Sequence, residues 1–176
     1  MQNIIFIHGL ESSGTGFKGQ FFKKLFPECL TPDFQIFDAS KSIKQLLEIR
    51  MNQLNSILIN IDNWIIIGSS FGGLMSVIFT CENPEKVLKL ILLAPYLSNP
   101  YIDPKLYNQV TVPVIVFHGR NDKIIPLTPT RTCAEVLFTN LTYIIVDDDH
   151  RLIKTVKCLD WKKLISNKEF DESLLL

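Results

Sequence analysis

The feature that most constrains the fold is the segment Gly68-Ser69-Ser70-Phe71-Gly72, which directly follows the apolar run 64–67. A serine between two glycines, after a strand and before a helix, is typical of a turn that lifts the serine hydroxyl above a sheet edge. We expect Ser70 to adopt a positive φ, and each flanking glycine to occupy a place where a Cβ would collide with a neighbouring element. The pentapeptide alone arises by chance in roughly one chain in twenty of this length, so its context must decide.

Short unbroken apolar runs alternate with amphipathic segments along the chain. Unbroken runs are typical of strands covered on both faces, whereas apolar residues three and four positions apart are typical of helices. The pattern predicts strands at 4–7, 34–37, 64–67, 88–93, 114–117 and 143–146. It predicts helices at 17–26, 41–61, 71–81, 130–138 and 155–165, and assigns nothing to Leu174–Leu176. Right-handed crossovers then give an α/β fold, a three-layer α/β/α sandwich with a mostly parallel sheet of about six strands.

Composition narrows the class of protein. The 176 residues fit a single domain over 1–176, and 18 basic residues balance 18 acidic ones, unlike the basic surface of a nucleic-acid-binding protein. The chain shows no secretory signal and no apolar run of the roughly eighteen residues that a membrane span needs. The four cysteines have no C-x-x-C spacing, so we expect free thiols, mostly buried, in a cytoplasmic protein. We expect no cofactor and no metal site, and the sequence leaves the oligomeric state open.

Two more residues follow later predicted strands. Asp122 comes just after the strand at 114–117, and His150 just after the strand at 143–146. Ligands of parallel α/β sheets bind where the strands end, so we expect both residues near Ser70. The histidine can remove the serine proton and later protonate a leaving group, while the carboxylate fixes the histidine tautomer. Asp147 is a second candidate for that carboxylate.

A serine nucleophile also needs donors for the oxyanion that forms on its substrate. The backbone N–H of Phe71 is the first candidate because it follows the serine, and the N–H of Leu10 in the loop 8–16 is the second. Gly9 is expected to allow this loop to bend. A phosphate-binding loop is disfavoured, since Lys18-Gly19 does not supply the Lys-Ser/Thr pair of that motif.

Taken together, these motifs resemble the α/β-hydrolase superfamily over nearly the whole chain. The opening segment, which reads F-I-H-G-L-E-S-S-G-T-G-F-K, resembles in particular the small bacterial esterase-type members that have little lid. The resemblance implies a site made of the nucleophile Ser70, the acid Asp122, the base His150, and the backbone N–H groups of Leu10 and Phe71 as oxyanion hole.

The sequence departs from that pattern in two places. Its first strand corresponds to the one that normally comes third, so we expect no leading antiparallel hairpin. The segment 94–112, where larger relatives insert a helical cap, is short and rich in proline and tyrosine. We interpret it as an extended surface loop bordering a shallow, water-accessible pocket with little apolar wall.

The function predicted from the sequence is that of a serine hydrolase. It would cleave a small carboxylic ester or thioester through an acyl-enzyme on Ser70. Two alternatives stay open: a hydrolase-fold binding protein without activity, and an acyltransferase that uses the same intermediate.

Overall fold

Five parallel strands form the centre of the computed structural model, which describes residues 2–166. The strands are β1 (Asn3–Ile7), β2 (Trp64–Ser69), β3 (Val87–Leu93), β4 (Val114–Gly119) and β5 (Leu141–Val146). The helices are α1 (Phe17–Leu25), α2 (Ile43–Leu58), α3 (Phe71–Glu82), α4 (Leu127–Leu137), α5 (Ile153–Cys158) and α6 (Trp161–Ser166). Leu174–Leu176 lies outside the described residues. None of the described helices is long and apolar enough to cross a membrane.

The strands lie in sequence order from β1 to β5, and every neighbouring pair is parallel. All residues of β2 and β4 are buried, which explains why these segments are unbroken apolar runs. Because the strands are parallel, their carboxyl ends share one edge of the sheet. The loops that follow β1, β2, β4 and β5 therefore meet there.

Helices cover both faces of the sheet and give the predicted three layers. One apolar cluster joins the sheet to α2, α3 and α4 through Leu54, Leu74 and Leu137. The other joins it to α1 and α6 through Phe22 and Trp161, whose rings meet edge to face at 4.6 Å. The three-layer α/β/α prediction is confirmed.

The sequence prediction of a strand at 34–37 is wrong, so the sheet has five strands within residues 2–166 instead of six. The backbone of this segment bonds side chains of α2: Gln53 Oε1 accepts from the N–H of Gln35 at 2.9 Å, and Arg50 Nε donates to its C=O at 2.8 Å. Leu30 instead forms a single parallel bridge to the free edge of β1. Backbone groups satisfied by side chains cannot also form a strand ladder.

The closing helix predicted at 155–165 is two helices, α5 and α6. Leu159, between them, has an extended backbone, with φ −71° and ψ 138°. The Asp160 carboxylate accepts a hydrogen bond from the N–H of Lys163 at 3.1 Å, as an N-cap residue does. The aspartate therefore begins a new helix, and the apolar spacing alone does not show the break.

The segment 94–112 differs from the surface loop expected from its prolines. Leu97, Ile102 and Val110 are buried in the cluster that holds α3 and α4. The N–H of Tyr96 donates to the C=O of Ser70 at 3.0 Å. The segment thus packs on the core and also braces the turn that carries Ser70.

Candidate active site

Ser70 lies in a strained turn between β2 and α3. Its φ is 55° and its ψ is −116°, a conformation that costs a residue other than glycine about 1–3 kcal/mol. A Cβ on Gly72 would lie 2.2 Å from the carbonyl oxygen of Ile7, and one on Gly68 would lie 2.9 Å from the carbonyl oxygen of Gly72. The expected positive φ and the need for both glycines are confirmed.

The structure brings Ser70, His150 and Asp122 into one chain of hydrogen bonds. His150 Nε2 lies 3.1 Å from Ser70 Oγ, and His150 Nδ1 lies 2.8 Å from Asp122 Oδ2. Because an ionised carboxylate only accepts hydrogen bonds, the proton belongs on Nδ1 and leaves Nε2 free to accept from the serine. The geometry suits removal of the serine proton by the histidine.

Asp122 is fixed and kept ionised by its surroundings. Its side chain is 1% exposed, and its Oδ1 accepts from the N–H groups of Ile124 and Ile125 at 2.8 and 2.9 Å. Burial opposes ionisation, but these two hydrogen bonds and the one from His150 outweigh it and lower the pKa of the carboxyl below its ordinary value.

Asp147, the alternative carboxylate, forms no hydrogen bond or ion pair with His150 in the part of the chain that the structure describes. Its side chain is 76% exposed, and its Oδ1 accepts only a long hydrogen bond, 3.3 Å, from the side chain of Asn121. The neighbouring Asp148 accepts from the N–H and hydroxyl of Thr155 in α5. These contacts hold the loop that carries His150, and they leave Asp122 as the carboxylate that contacts it.

Leu10 and Phe71 line the same cavity as Ser70 and His150. Among residues 2–166, neither of their backbone N–H groups has an intramolecular acceptor. No described glycine has a positive φ, so Gly9 does not use the left-handed conformation that glycine permits. A Cβ on Gly9 would lie 3.4 Å from Ser70 Cβ, which shows that the backbone here passes close to the serine.

The model of the phospholipase/carboxylesterase family matches residues 22–156. This span contains Ser70, Phe71, Asp122 and His150, and Leu10 lies before it. The chain belongs to the phospholipase/carboxylesterase family. As a member, it is a hydrolase of the esterase type.

Solved structures of α/β-hydrolases share its fold. The α/β-hydrolase domain-containing protein 10 from mouse is 21% identical with a TM-score of 0.67, over 93% of this chain and 90% of that one. The Bacillus cereus carboxylesterase is 14% identical with a TM-score of 0.70, over 89% and 84%. An esterase from Exiguobacterium antarcticum is 13% identical with a TM-score of 0.70, over 94% and 91%. A comparison with curated proteins found no match.

His118 is a buried neighbour of the site to which the sequence analysis assigned no role. Its Nε2 lies 3.3 Å from Asp122 Oδ2 and 3.1 Å from the C=O of Ile125, while its Nδ1 lies 2.6 Å from the Tyr143 hydroxyl. Burial lowers its pKa, which favours a neutral ring with the proton on Nε2. The four-residue spacing between His118 and Asp122, after a strand, is the signal that could have revealed it.

The cavity of this esterase-family site has a volume of about 740 Å³. Phe17 and Ile124, two of its apolar lining residues, are 41% and 68% exposed. The cavity has more apolar wall than the shallow pocket expected from the sequence. Its lining residues are Phe6, Gly9, Leu10, Glu11, Ser12, Phe17, Lys18, Ile43, Ser69, Ser70, Phe71, Tyr96, Ile124, Ile125, His150, Arg151 and Ile153.

Two cationic side chains, Lys18 and Arg151, line this cavity. Burial, reinforced by the charge of Arg151, lowers the pKa of Lys18 to about 8, although Asp148 and Asp149 oppose the shift. A lysine with such a pKa is partly neutral near physiological pH.

Proposed function

We propose that the protein is a serine esterase that forms an acyl-enzyme on Ser70. The single observation that carries this proposal is the chain of hydrogen bonds from Ser70 Oγ through His150 to the buried carboxylate of Asp122. A serine hydroxyl is a weak nucleophile at neutral pH, and a histidine oriented by a carboxylate supplies the base that activates it. The family membership supports ester substrates.

The first half of the reaction transfers the acyl group to the enzyme. Ser70 Oγ attacks the ester carbonyl carbon while His150 Nε2 takes the hydroxyl proton. The carbonyl oxygen becomes negative and accepts hydrogen bonds from the N–H groups of Leu10 and Phe71. When the tetrahedral intermediate collapses, the bond to the leaving group breaks and His150 protonates the departing alcohol or thiol.

The second half of the reaction restores the enzyme. His150 removes a proton from a water molecule, whose oxygen attacks the acyl carbon. The second tetrahedral intermediate breaks the bond to Ser70 Oγ, which regains its proton from His150, and the carboxylic acid leaves. Asp122 remains ionised throughout and stabilises the imidazolium that forms in each half.

The proposed substrate class rests on the cavity that the half-buried Ser70 lines. A volume of about 740 Å³ with partly exposed apolar walls suits a small to medium acyl group. We propose carboxylic esters as substrates, with thioesters of similar size as the related class.

Hydrolysis of 4-nitrophenyl esters and acyl thioesters of graded chain length tests this function. We expect turnover of the short members and its loss in Ser70→Ala. Ser56→Ala is the matched control, since Ser56 is on α2 and its hydroxyl donates to the C=O of Gln53 within the same helix. Unchanged turnover in Ser70→Ala would contradict the proposal.

A further inference from the structure

Arg50 is fully buried on α2 and donates to three backbone carbonyls. Nε donates to Gln35 at 2.8 Å, Nη2 to Leu10 at 2.9 Å and Nη1 to Gly9 at 3.3 Å. None of the ion pairs formed among residues 2–166 includes Arg50. A buried guanidinium without a carboxylate partner is costly, so its position calls for an explanation.

The carbonyl of Gly9 and the N–H of Leu10 belong to the same peptide group. A trans peptide is planar and its C=O and N–H point in opposite directions. A donor that holds the Gly9 oxygen therefore fixes the direction of the Leu10 N–H, which is the proposed second donor to the oxyanion. Arg50 also holds the Leu10 oxygen, and so fixes the next peptide as well.

His8 holds the same Gly9 oxygen from a second side. The N–H of Phe34 donates to His8 Nε2 at 3.2 Å, so that nitrogen carries the lone pair. The ring proton is then on Nδ1, which lies 2.8 Å from the Gly9 oxygen and donates to it. Burial lowers the pKa of His8 and keeps the ring in this neutral form. Two buried donors thus converge on one carbonyl.

Arg50 also contacts the residue that supplies the other oxyanion donor. Its Cζ lies 5.5 Å from the ring centroid of Phe71, within the range of a cation–π contact. One side chain therefore touches the residues on both halves of the oxyanion hole. Nothing in the turn at Ser70 or in the triad requires a residue of this kind on α2.

We propose that Arg50 is a positioning residue that orients the oxyanion hole. Arg50 fixes the Gly9–Leu10 peptide so that the N–H of Leu10 faces the reacting oxygen. The positive charge of Arg50, which no carboxylate among residues 2–166 pairs with, favours the negative charge that develops there. This inference rests on the proposed esterase function. It concerns the transition state, because the oxyanion exists only after Ser70 attacks.

Steady-state kinetics of Arg50→Lys tests the inference. Lysine keeps the charge but cannot donate in the fixed planar geometry of a guanidinium. We expect kcat to fall by about 10- to 100-fold, as for weakening of one oxyanion donor, with KM changed by less than about threefold. Phenylboronic acid, which adds to the serine as a tetrahedral anion, should lose affinity by the same factor as kcat/KM. The dependence of kcat/KM on acidic pH should be the same in Arg50→Lys as in the wild type, because the substitution leaves the base unchanged.

Gln53→Ala is the matched control. Gln53 lies on the same helix and also forms a hydrogen bond with the backbone of Gln35, but it forms none with Gly9 or Leu10 among the described residues. We expect its kcat to stay within about twofold of the wild-type value. If this variant loses as much activity as Arg50→Lys, the arginine acts through the segment at Gln35 and the inference is overturned.

Two further measurements separate positioning from folding. The melting temperature of each variant reports lost stability, and added guanidinium should restore part of the kcat of Arg50→Ala. If Arg50→Lys keeps the kcat and the boronate affinity of the wild type, or if only its KM changes, the inference is overturned. The proposed esterase function would still stand in either case. A wild-type protein that neither hydrolyses esters nor binds the boronate overturns both.

Discussion

His150 Nε2 and Ser70 Oγ lie 3.1 Å apart, although 80 positions separate the two residues in the sequence. Ser70 follows β2 and His150 follows β5, so the contact requires β3 and β4 to be in place between them. The short loop after β5 is held by two hydrogen bonds that the N–H and hydroxyl of Thr155 donate to the Asp148 carboxylate. The proposed chemistry therefore depends on the complete parallel sheet.

Replacing Asp122 with asparagine should reduce kcat by about three to four orders of magnitude. An asparagine side chain can present an N–H to His150 Nδ1, which favours the wrong tautomer of the ring. Its oxygen can still accept from Ile124 and Ile125, so the loop should stay folded. Steady-state kinetics measures the loss, and Asp147→Asn is the control. Equal losses in the two variants would contradict the assignment of Asp122.

The acid dependence of stability should carry a contribution from Asp122. Its pKa is lower in the folded protein than in the unfolded chain, so the unfolded chain binds more protons as the pH falls. The stabilisation is present above the ordinary carboxyl pKa and is lost as the pH falls through the lower, folded value. In urea unfolding, the free energy of unfolding of the wild type should exceed that of Asp122→Asn at neutral pH, and the difference should shrink as the pH falls across this range. A constant difference from neutral to strongly acidic pH would refute this.

Activity should depend on the protonation of His150. A histidine that must accept the serine proton cannot do so once it is protonated. We expect kcat/KM to fall with the uptake of one proton on the acid side of neutral pH. A rate that stays constant from neutral to acidic pH would argue against His150 as the base.

The strain at Ser70 predicts a difference between two inactive variants. Glycine adopts a positive φ without penalty, while alanine keeps the strain of the serine. Ser70→Gly should therefore be more stable than Ser70→Ala by about 1 kcal/mol, after allowance for the entropy of glycine. Urea unfolding of both variants measures this directly, and a less stable glycine variant would contradict the strained conformation.

Replacing Gly72 or Gly9 with alanine should have different effects on stability and on activity. At Gly72 the new Cβ would lie 2.2 Å from the backbone oxygen of Ile7, so α3 must move away from β1 at a cost of about 1–3 kcal/mol. At Gly9 the nearest atom is 3.4 Å away, and stability should change by less than about 1 kcal/mol. Gly9→Ala should instead lower kcat. Gly9 lines the cavity, and its new Cβ would occupy space 3.9 Å from Ser70 Oγ, beside the proposed nucleophile. Thermal unfolding and kinetics of the pair distinguish these outcomes.

Much of the fold could be predicted from the sequence because β2 and β4 are buried on both faces and therefore read as unbroken apolar runs. Two features could not be predicted: the break between α5 and α6, and the absence of a strand at 34–37. Both depend on hydrogen bonds of individual polar side chains. At 34–37 the deciding contacts come from Gln53 and Arg50, one helix later in the chain.

Some residues of the candidate site could also be predicted from the sequence, and others could not. The order of Ser70, Asp122 and His150 along the chain is visible in the sequence, and the structure brings the three together. Arg50 was not visible, because an arginine on an amphipathic helix resembles any surface residue until its burial is known. His118 leaves only the weak signal of its four-residue spacing to Asp122 after a strand.

Covalent labelling with a fluorophosphonate, followed by mass spectrometry of the labelled peptide, tests directly whether Ser70 is an activated nucleophile. The reagent phosphonylates a serine only when a base and an oxyanion hole activate it. We expect a single phosphonyl group on Ser70 in the wild type, no label in Ser70→Ala, and full labelling in Ser56→Ala. An unlabelled wild-type protein, or a label on any residue other than Ser70, would contradict the assignment of Ser70 as the nucleophile.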